Sequence, residues 1–168
     1  HFPVSEAAAA ADCARELSAE GVDVYLRANV QEEPHGTTVA TVAAMTMVTL
    51  DFDVAGPSHK AANLPKDYSE FDALLAAAGV QAPTIKLRTG GGIAAIWVLD
   101  KPLMIQTDED RQRAISLSRG FQRRLKQTAA ARGYHVDATS DLVRAVRLPG
   151  TRNWKPAYGP RGVEVTVA

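Results

Sequence analysis

Apolar positions recur along the chain with two different periods, and these periods predict the secondary structure. Spacings of three and four residues predict helices, and strict alternation predicts strands. The predicted helices cover residues 5–19, 69–79 and 108–132, with a helical turn within 140–151. The predicted strands cover residues 22–30, 46–54, two runs within 83–102, 134–137 and 163–167, and residues 39–45 begin a helix or a strand. Helices mixed with hairpins indicate an α+β fold with a mainly antiparallel sheet.

Local signals predict where the helices begin and end. Ser5 and Ser69 are placed to cap the first two helices, and Gly79 is placed to end the second. The third helix opens on the acidic run at 107–110, which suits the positive end of its macrodipole. Its predicted buried stripe is Ala114, Leu117, Phe121 and Leu125. The first helix has its apolar face at Ala9, Cys13 and Leu17.

A second face of the third helix carries basic residues, namely Arg119, Arg123 and Lys126. A charged helix face is commonly only solvated, yet the same spacing also suits contact with phosphates. The sequence leaves both interpretations open.

Composition places the chain among ordinary globular proteins, since 46% of its 168 residues are hydrophobic and 23% are charged. The single cysteine, Cys13, excludes a disulfide framework or a zinc site built on cysteines within this chain. The charge is unevenly distributed: residues 1–83 hold 4 Lys+Arg and 12 Asp+Glu, whereas residues 84–168 hold 15 and 7. An acidic half for cations beside a basic half for phosphates is typical of enzymes of nucleotides or nucleic acids.

The sequence contains no apolar run of membrane-spanning length and no segment of the signal-peptide kind, so we expect a protein of the cytoplasm, bacterial or of a phage-infected host, with no membrane partner. The first residue is His1 rather than methionine. We therefore expect residues 1–168 to be one catalytic domain and a fragment of a longer protein.

Two aspartates end the most apolar strand, in the segment TMVTLDFDV. Because side chains alternate along a strand, Asp51 and Asp53 share one face while Leu50 and Phe52 share the other. Two like charges so close together call for a cation or a basic partner.

A third aspartate, Asp137, follows the apolar stretch YHV. Acids at the ends of several strands can converge to hold two divalent cations, as phosphoryl and nucleotidyl transfer require. Aspartate is also common at strand ends as a turn former, and Asp141 is better explained as a cap.

The triglycine in RTGGGIAAIW joins two strands, so it predicts a hairpin. It is not a phosphate loop of the P-loop type, because no Gly-Lys-Ser/Thr follows and the next element is a strand. Glycines at this place allow a ligand to approach the backbone closely.

The segment RAVRLPGTRNWK concentrates basic residues. On a helical turn Arg144 and Arg147 would lie side by side and could clamp anionic oxygens with forked hydrogen bonds. A solvated basic loop is the alternative.

In this order, TMVTLDFDV, RTGGGIAAIWVLDKPL and VDATSDLVRAVRLPGTRNWK, with VDVYLRANV as a weaker fourth segment, resemble the archaeo-eukaryotic primase superfamily, in particular the primase-polymerase (prim-pol) domains of phage and plasmid replication proteins. The resemblance covers about a third of the chain. It implies an α/β unit packed on an RRM-like unit, and template-directed nucleotidyl transfer on single-stranded DNA with Mg²⁺ or Mn²⁺ and NTPs or dNTPs. A helicase domain or partner is a further expectation.

The resemblance also implies residue roles. Asp51, Asp53 and Asp137 match the catalytic, metal-binding carboxylates. The nucleotide-binding positions are matched by small residues, Thr89 and Gly91, and by basic residues, Arg144, Arg147 and Lys155.

The chain departs from the family at Ala94, where relatives have a histidine that contacts phosphate. Two alternatives to a DNA primase and polymerase therefore remain. One is a catalytically impaired nucleic-acid-binding module of the same fold, and the other is a metal-dependent nuclease that uses the same acids.

Overall fold

A computed structural model of the chain describes residues 4–32, 38–59, 63–137 and 139–168. Its helices are α1 (Ala7–Ala19), α2 (Ser69–Ala78) and α3 (Asp108–Ala131). Its strands are β1 (Tyr25–Arg27), β2 (Val30–Gln31), β3 (Val42–Asp53), β4 (Ile85–Arg88), β5 (Gly92–Met104), β6 (Ala145–Arg147), β7 (Arg152–Asn153), β8 (Val163–Glu164) and β9 (Thr166–Val167). Among these residues, no helix combines the length and apolar character needed to cross a membrane.

The main sheet has five strands in the order β2-β3-β5-β4-β9, and every strand pair in the described ranges is antiparallel. The predicted α+β class with a mainly antiparallel sheet is therefore confirmed. Two short ribbons, β1 with β6 and β7 with β8, complete the strand pairing. The predicted hairpin around the triglycine is formed by β4 and β5, which pair with Leu87 opposite Ala94.

The two faces of the main sheet have different roles. On one face Leu50, Phe52, Ile93 and Ala95 pack against α2 and α3, and Phe52 meets Phe71 edge to face at 5.2 Å. On the other face a smaller cluster forms from Leu87, Ala94, Ile96, Val146 and Val165. A third cluster around Val42 and Met45 fills the far end beneath the start of α3. The first face holds the larger core, which leaves the second face for a site.

The helix ends agree only partly with the sequence-based predictions. Gly79 ends α2 in the left-handed conformation, with φ of 59°, as predicted. Ser69 is the first residue of α2 and does not cap it; Tyr68 holds the cap position, and the Asp67 side chain accepts the hydrogen bonds of Ser69. Ser5 does not cap α1 either, because a 3₁₀ turn at Val4–Glu6 precedes the helix.

Two predicted helix faces were wrong in detail. In α1 the buried residues are Ala14 and Ser18, whereas Leu17 is 40% exposed. In α3 the stripe prediction holds for Ala114 and Leu125, but Leu117 is 52% exposed. Gln122 is buried in the core instead. Its amide donates to the Thr49 carbonyl and to the Thr139 hydroxyl, and it accepts from the Thr139 backbone N–H.

Four strand predictions also need correction. Residues 42–53 form one strand rather than two elements, because β3 pairs with β5 along nearly its whole length. Residues 22–30 divide between β1 and β2, and residues 163–167 divide between β8 and β9. Residues 134–137 form no strand, since Tyr134 and His135 donate to the carbonyls of Ala129 and Asn63 rather than to a neighbouring strand.

The predicted helical turn at 140–151 is wrong as well. Its central residues form β6, which pairs with β1 in the register Tyr25↔Arg147. The segment QEEPHGTT, residues 31–38, has the composition of a turn-rich loop and lies mostly outside the described residues.

Candidate functional site

A cavity of about 180 Å³ opens on the second face of the sheet, where β3, β5 and β6 meet. It is lined by the predicted site residues Asp51, Asp53, Thr89, Gly91, Arg144, Arg147 and Lys155, and by Ala94. Its other lining residues are Tyr25, His59, Ala145, Val146, Asn153 and Tyr158. The fold thus gathers residues that lie more than one hundred positions apart in the sequence.

The two carboxylates reach the cavity because of their place on β3. Asp51 lies opposite Ala94, and Asp53 lies opposite Gly92. Their neighbours Leu50 and Phe52 are fully buried on the helix-covered face, which orients the aspartates toward the cavity. The predicted alternation of faces is therefore confirmed.

Asp51 forms an ion pair with Arg144 Nη2 across the cavity. Both side chains are about one third exposed, at 31% and 34%. Burial lowers the pKa of the Arg144 guanidinium from its ordinary value, since removal from water disfavours the charged form. The charge of Asp51 is thus neutralised by Arg144, the residue directly before β6.

Asp53 lies in a less compensated environment. Burial raises the pKa of its carboxyl, and the negative charge of Asp137 raises it further, although His59 and Lys155 oppose these effects. His59 Nδ1 lies 3.3 Å from Asp53 Oδ2. Any further positive charge in the cavity would therefore stabilise the ionised form of Asp53.

Asp137 acts on Asp53 electrostatically but is not among the described residues that line the cavity. Its Oδ1 lies 2.8 Å from His135 Nε2 at the surface. Within the described ranges, no three His, Cys, Asp or Glu residues converge on one point as a metal site would require. Asp51 and Asp53 are thus gathered as a pair, and the role of Asp137 stays a prediction.

The glycine turn between β4 and β5 forms one wall. Thr89 closes it by donating from N–H and from Oγ1 to the Gly92 carbonyl, at 3.0 and 3.2 Å. A Cβ at Gly92 would lie 2.3 Å from the Phe52 carbonyl oxygen, so only glycine fits beside β3. Asn153 Nδ2 donates to the Thr89 carbonyl at 2.7 Å and ties the turn to β7.

The basic wall differs from the one that a helical turn would build. Because residues 145–147 are extended, Arg144 and Arg147 contact different partners and do not form one clamp. Arg147 is only 7% exposed, pairs with Asp23 at 2.5 Å, and lies 4.7 Å from the Tyr25 ring centre. Lys155 is exposed at the rim.

The basic face of α3 lies apart from this cavity. Arg119, Arg123 and Lys126 line a separate surface groove of about 570 Å³, together with Gln122, Gln127, Ala130 and Ser140. None of the three cations forms an ion pair with the part of the chain that the structure describes. The groove can therefore accept an anion.

Sequence reasoning missed several residues around the cavity, namely Asp23, Tyr25, His59, Asn153 and Tyr158. Asn153 lies within the basic segment and could have been included on that ground. No local pattern marks Asp23, because its partner Arg147 lies 124 positions away. His59 follows Asp53 closely in the sequence, but no motif marks it as a residue that lines a cavity.

Comparison with solved structures finds a similar fold. The chain is similar to "Cyanophage S-2L Primase-Polymerase (PrimPol), AEP domain (PP-N190)", with a TM-score of 0.62 and 18% identity, over 94% of this chain and 67% of that one. Neither a protein-family model nor a curated protein sequence matches the chain. At this identity the likeness establishes a shared fold.

Proposed function

We propose that the cavity is the active site of a template-directed nucleotidyltransferase that makes or extends primers on single-stranded DNA. The main support for this proposal is that Asp51 and Asp53 share one small cavity with three cationic side chains, those of Arg144, Arg147 and Lys155. Acids beside cations suit a nucleoside triphosphate, whose phosphates need positive partners and whose reaction needs an activated oxygen. The fold shared with a phage primase-polymerase domain supports this assignment.

The carboxylate pair fits a divalent cation. Asp51 and Asp53 offer oxygen ligands on one face of one strand, and burial together with Asp137 leaves Asp53 in need of positive charge. We propose that these residues, with Asp137, hold Mg²⁺ or Mn²⁺. A bound divalent ion would supply Lewis-acid stabilisation of the reacting oxygens.

The residues of the chain would then bind and orient the substrates. Lys155 at the rim and Arg144 on the wall attract the triphosphate, and Arg147, held by Asp23, keeps a fixed positive charge beneath it. The glycine turn does not offer its backbone to the nucleotide as the sequence suggested, because a Cβ at Gly91 would already meet the His59 and Tyr158 side chains at 2.4 and 2.6 Å. In the proposed reaction, a primer 3′-hydroxyl forms a bond to the α-phosphate and pyrophosphate leaves.

The remaining parts of the proposal concern partners and finer architecture. The groove of Arg119, Arg123 and Lys126 would contact the phosphates of the single-stranded template. We also propose that the fold consists of an α/β unit packed on an RRM-like unit, and that the full protein has a helicase domain or partner.

One observation favours the second candidate, a catalytically impaired binding module. Ala94 lines the cavity and is only 3% exposed, so it offers no polar group at the position where relatives have histidine. Such a module would bind nucleotide or DNA but add no nucleotides.

The test is incorporation of labelled nucleotides on a primed single-stranded template with Mn²⁺, comparing the parent with Asp51→Asn and Asp53→Asn. We expect each variant to lose at least a hundredfold, about 2.7 kcal/mol of transition-state stabilisation. Asp100→Asn is the matched control, because Asp100 is an exposed acid on β5 that does not line the cavity.

Three outcomes would contradict the proposal. Full activity in both cavity variants would remove the carboxylates from the reaction. DNA binding by the parent without incorporation would support the binding module. Loss of labelled primer without added nucleotides would support a nuclease.

A further inference from the structure

His59 carries a buried polar atom that nothing satisfies. Its Nε2 is inaccessible to water and has no hydrogen-bond partner among the described residues. The side chain as a whole is 13% exposed and lines the cavity. An unsatisfied buried nitrogen costs free energy, so its persistence at a site calls for an explanation.

The rest of the ring is held in place. Nδ1 lies 3.3 Å from Asp53 Oδ2, which fixes the direction in which Nε2 points. Nε2 points toward the glycine turn, where a Cβ placed on Gly91 would lie 2.4 Å from it. Gly91 therefore leaves just the space that the imidazole fills.

Two hydroxyls complete the surroundings of Gly91. The same imagined Cβ would lie 2.6 Å from Ser58 Oγ and 2.6 Å from Tyr158 Oη. The Tyr158 hydroxyl donates to Ser58 Oγ at 2.9 Å, and neither hydroxyl bonds to His59 Nε2.

We propose that His59 binds the phosphate chain of the nucleotide by donating a hydrogen bond from Nε2 to a phosphate oxygen, while Nδ1 stays beside Asp53 Oδ2, 3.3 Å away. This inference rests on the proposed function of the same cavity. An anionic oxygen is the fitting partner, because Arg144, Arg147 and Lys155 make this cavity attractive to anions. His59 would supply the contact that Ala94 does not.

Because Nε2 is inaccessible to water in the structure, a phosphate reaches it only when neighbouring atoms move. The Tyr158 and Ser58 hydroxyls border the same glycine and would lie close to a phosphate bound there.

The experiment measures triphosphate binding without template, by calorimetry in the presence of Ca²⁺, so that no turnover is needed. We expect His59→Ala to weaken binding at least tenfold, the loss of one charge-assisted hydrogen bond. Lys101→Ala, an exposed cation on β5 outside the cavity, is the control and should bind as the parent does. Inorganic tripolyphosphate should compete with the nucleotide in the parent and much less in His59→Ala.

Two conservative variants separate phosphate binding from the positioning of Asp53. A glutamine amide can take the place of Nε2, whereas an asparagine amide can take the place of Nδ1. We expect His59→Gln to retain affinity within about threefold of the parent and His59→Asn to resemble His59→Ala. The reverse pattern would make His59 a positioning residue for Asp53 and overturn the inference.

The outcomes also separate this inference from the proposed function. Equal triphosphate affinity in the parent and in His59→Ala would overturn the inference alone. Full incorporation by Asp53→Asn together with weak binding by His59→Ala would overturn the proposed catalytic role and keep the His59 contact. A parent that binds no triphosphate would overturn both.

Discussion

Asp23 accepts hydrogen bonds from Arg147 at 2.5 Å and from the Trp154 backbone at 2.8 Å, so a single carboxylate joins β6 to the segment that carries Lys155. Burial alone would raise the pKa of Asp23, but these hydrogen bonds and the charges of Arg147 and Lys155 outweigh burial and lower it. Arg147 is almost fully buried, and loss of its partner would leave its charge uncompensated.

We expect Asp23→Asn to lower the free energy of unfolding at pH 7 by about 2 kcal/mol. This is less than the roughly 3 to 5 kcal/mol for breaking a fully buried pair, because Asp23 is 32% exposed. Since its folded pKa is lowered, its stabilisation is present above the unfolded pKa of about 3.9 and is lost as pH falls through the folded value. Urea unfolding between pH 7 and pH 3 should show a shallower acid dependence in the variant.

Asp12→Asn is the matched control for this measurement, because the Asp12 and Arg15 side chains form an ion pair that is 65% and 61% exposed. We expect it to change stability little. An acid dependence that is identical in Asp23→Asn and the parent would contradict the role given to the Asp23 and Arg147 pair.

At the scale of elements, α3 presents two groups of cations on different faces. Arg119 and Arg123 lie on the groove, while Arg113 and Arg124 lie outside it on the same helix. If the groove holds the template, only the first group should matter. Each pair of substitutions removes two positive charges, so a comparison of the two double variants tests where on the helix the charges lie rather than how many there are.

We expect Arg119→Ala with Arg123→Ala to weaken binding of single-stranded DNA about tenfold at moderate salt. The slope of log affinity against log salt should fall by about 1.4, since each single-strand phosphate contact contributes roughly 0.7. Arg113→Ala with Arg124→Ala should leave both quantities near the parent values. Equal losses in the two double variants, measured by fluorescence anisotropy, would show general charge attraction rather than a template groove.

At the scale of the whole molecule, metal binding should couple to folding. A cation that binds only the folded chain stabilises it by about 2.7 kcal/mol at a hundredfold excess over its dissociation constant. For a domain of this size we expect Mn²⁺ to raise the melting temperature by roughly 5 to 10 °C. The variant carrying both Asp51→Asn and Asp53→Asn should show no such rise.

Without metal, the single variant Asp53→Asn should melt no lower than the parent, because burial and the charge of Asp137 disfavour the ionised Asp53 carboxyl. The double variant also leaves Arg144 without its partner Asp51, so its Mn²⁺ effect is compared with its own metal-free melting temperature. An equal Mn²⁺ effect in the double variant and the parent, measured by thermal unfolding, would place the metal elsewhere.

Features that depend on near neighbours were predictable from the sequence. The alternation of TLDFD places Asp51 and Asp53 on one face with Phe52 on the other, and the triglycine joins β4 to β5 in a hairpin. Gly79 ends α2 as its lack of a Cβ allows. These outcomes follow from backbone geometry over a few residues, so no distant part of the chain is needed to decide them.

The tertiary structure decided what depends on distant partners. Residues 145–147 are a strand because they pair with β1, about 120 positions earlier, and Arg147 is buried because Asp23 lies there. His59 reaches the Gly91 turn because β3 pairs with β5, which places Asp53 opposite Gly92. A local pattern carries no information about such partners, since the free energy of their contacts exists only when the fold has brought them together.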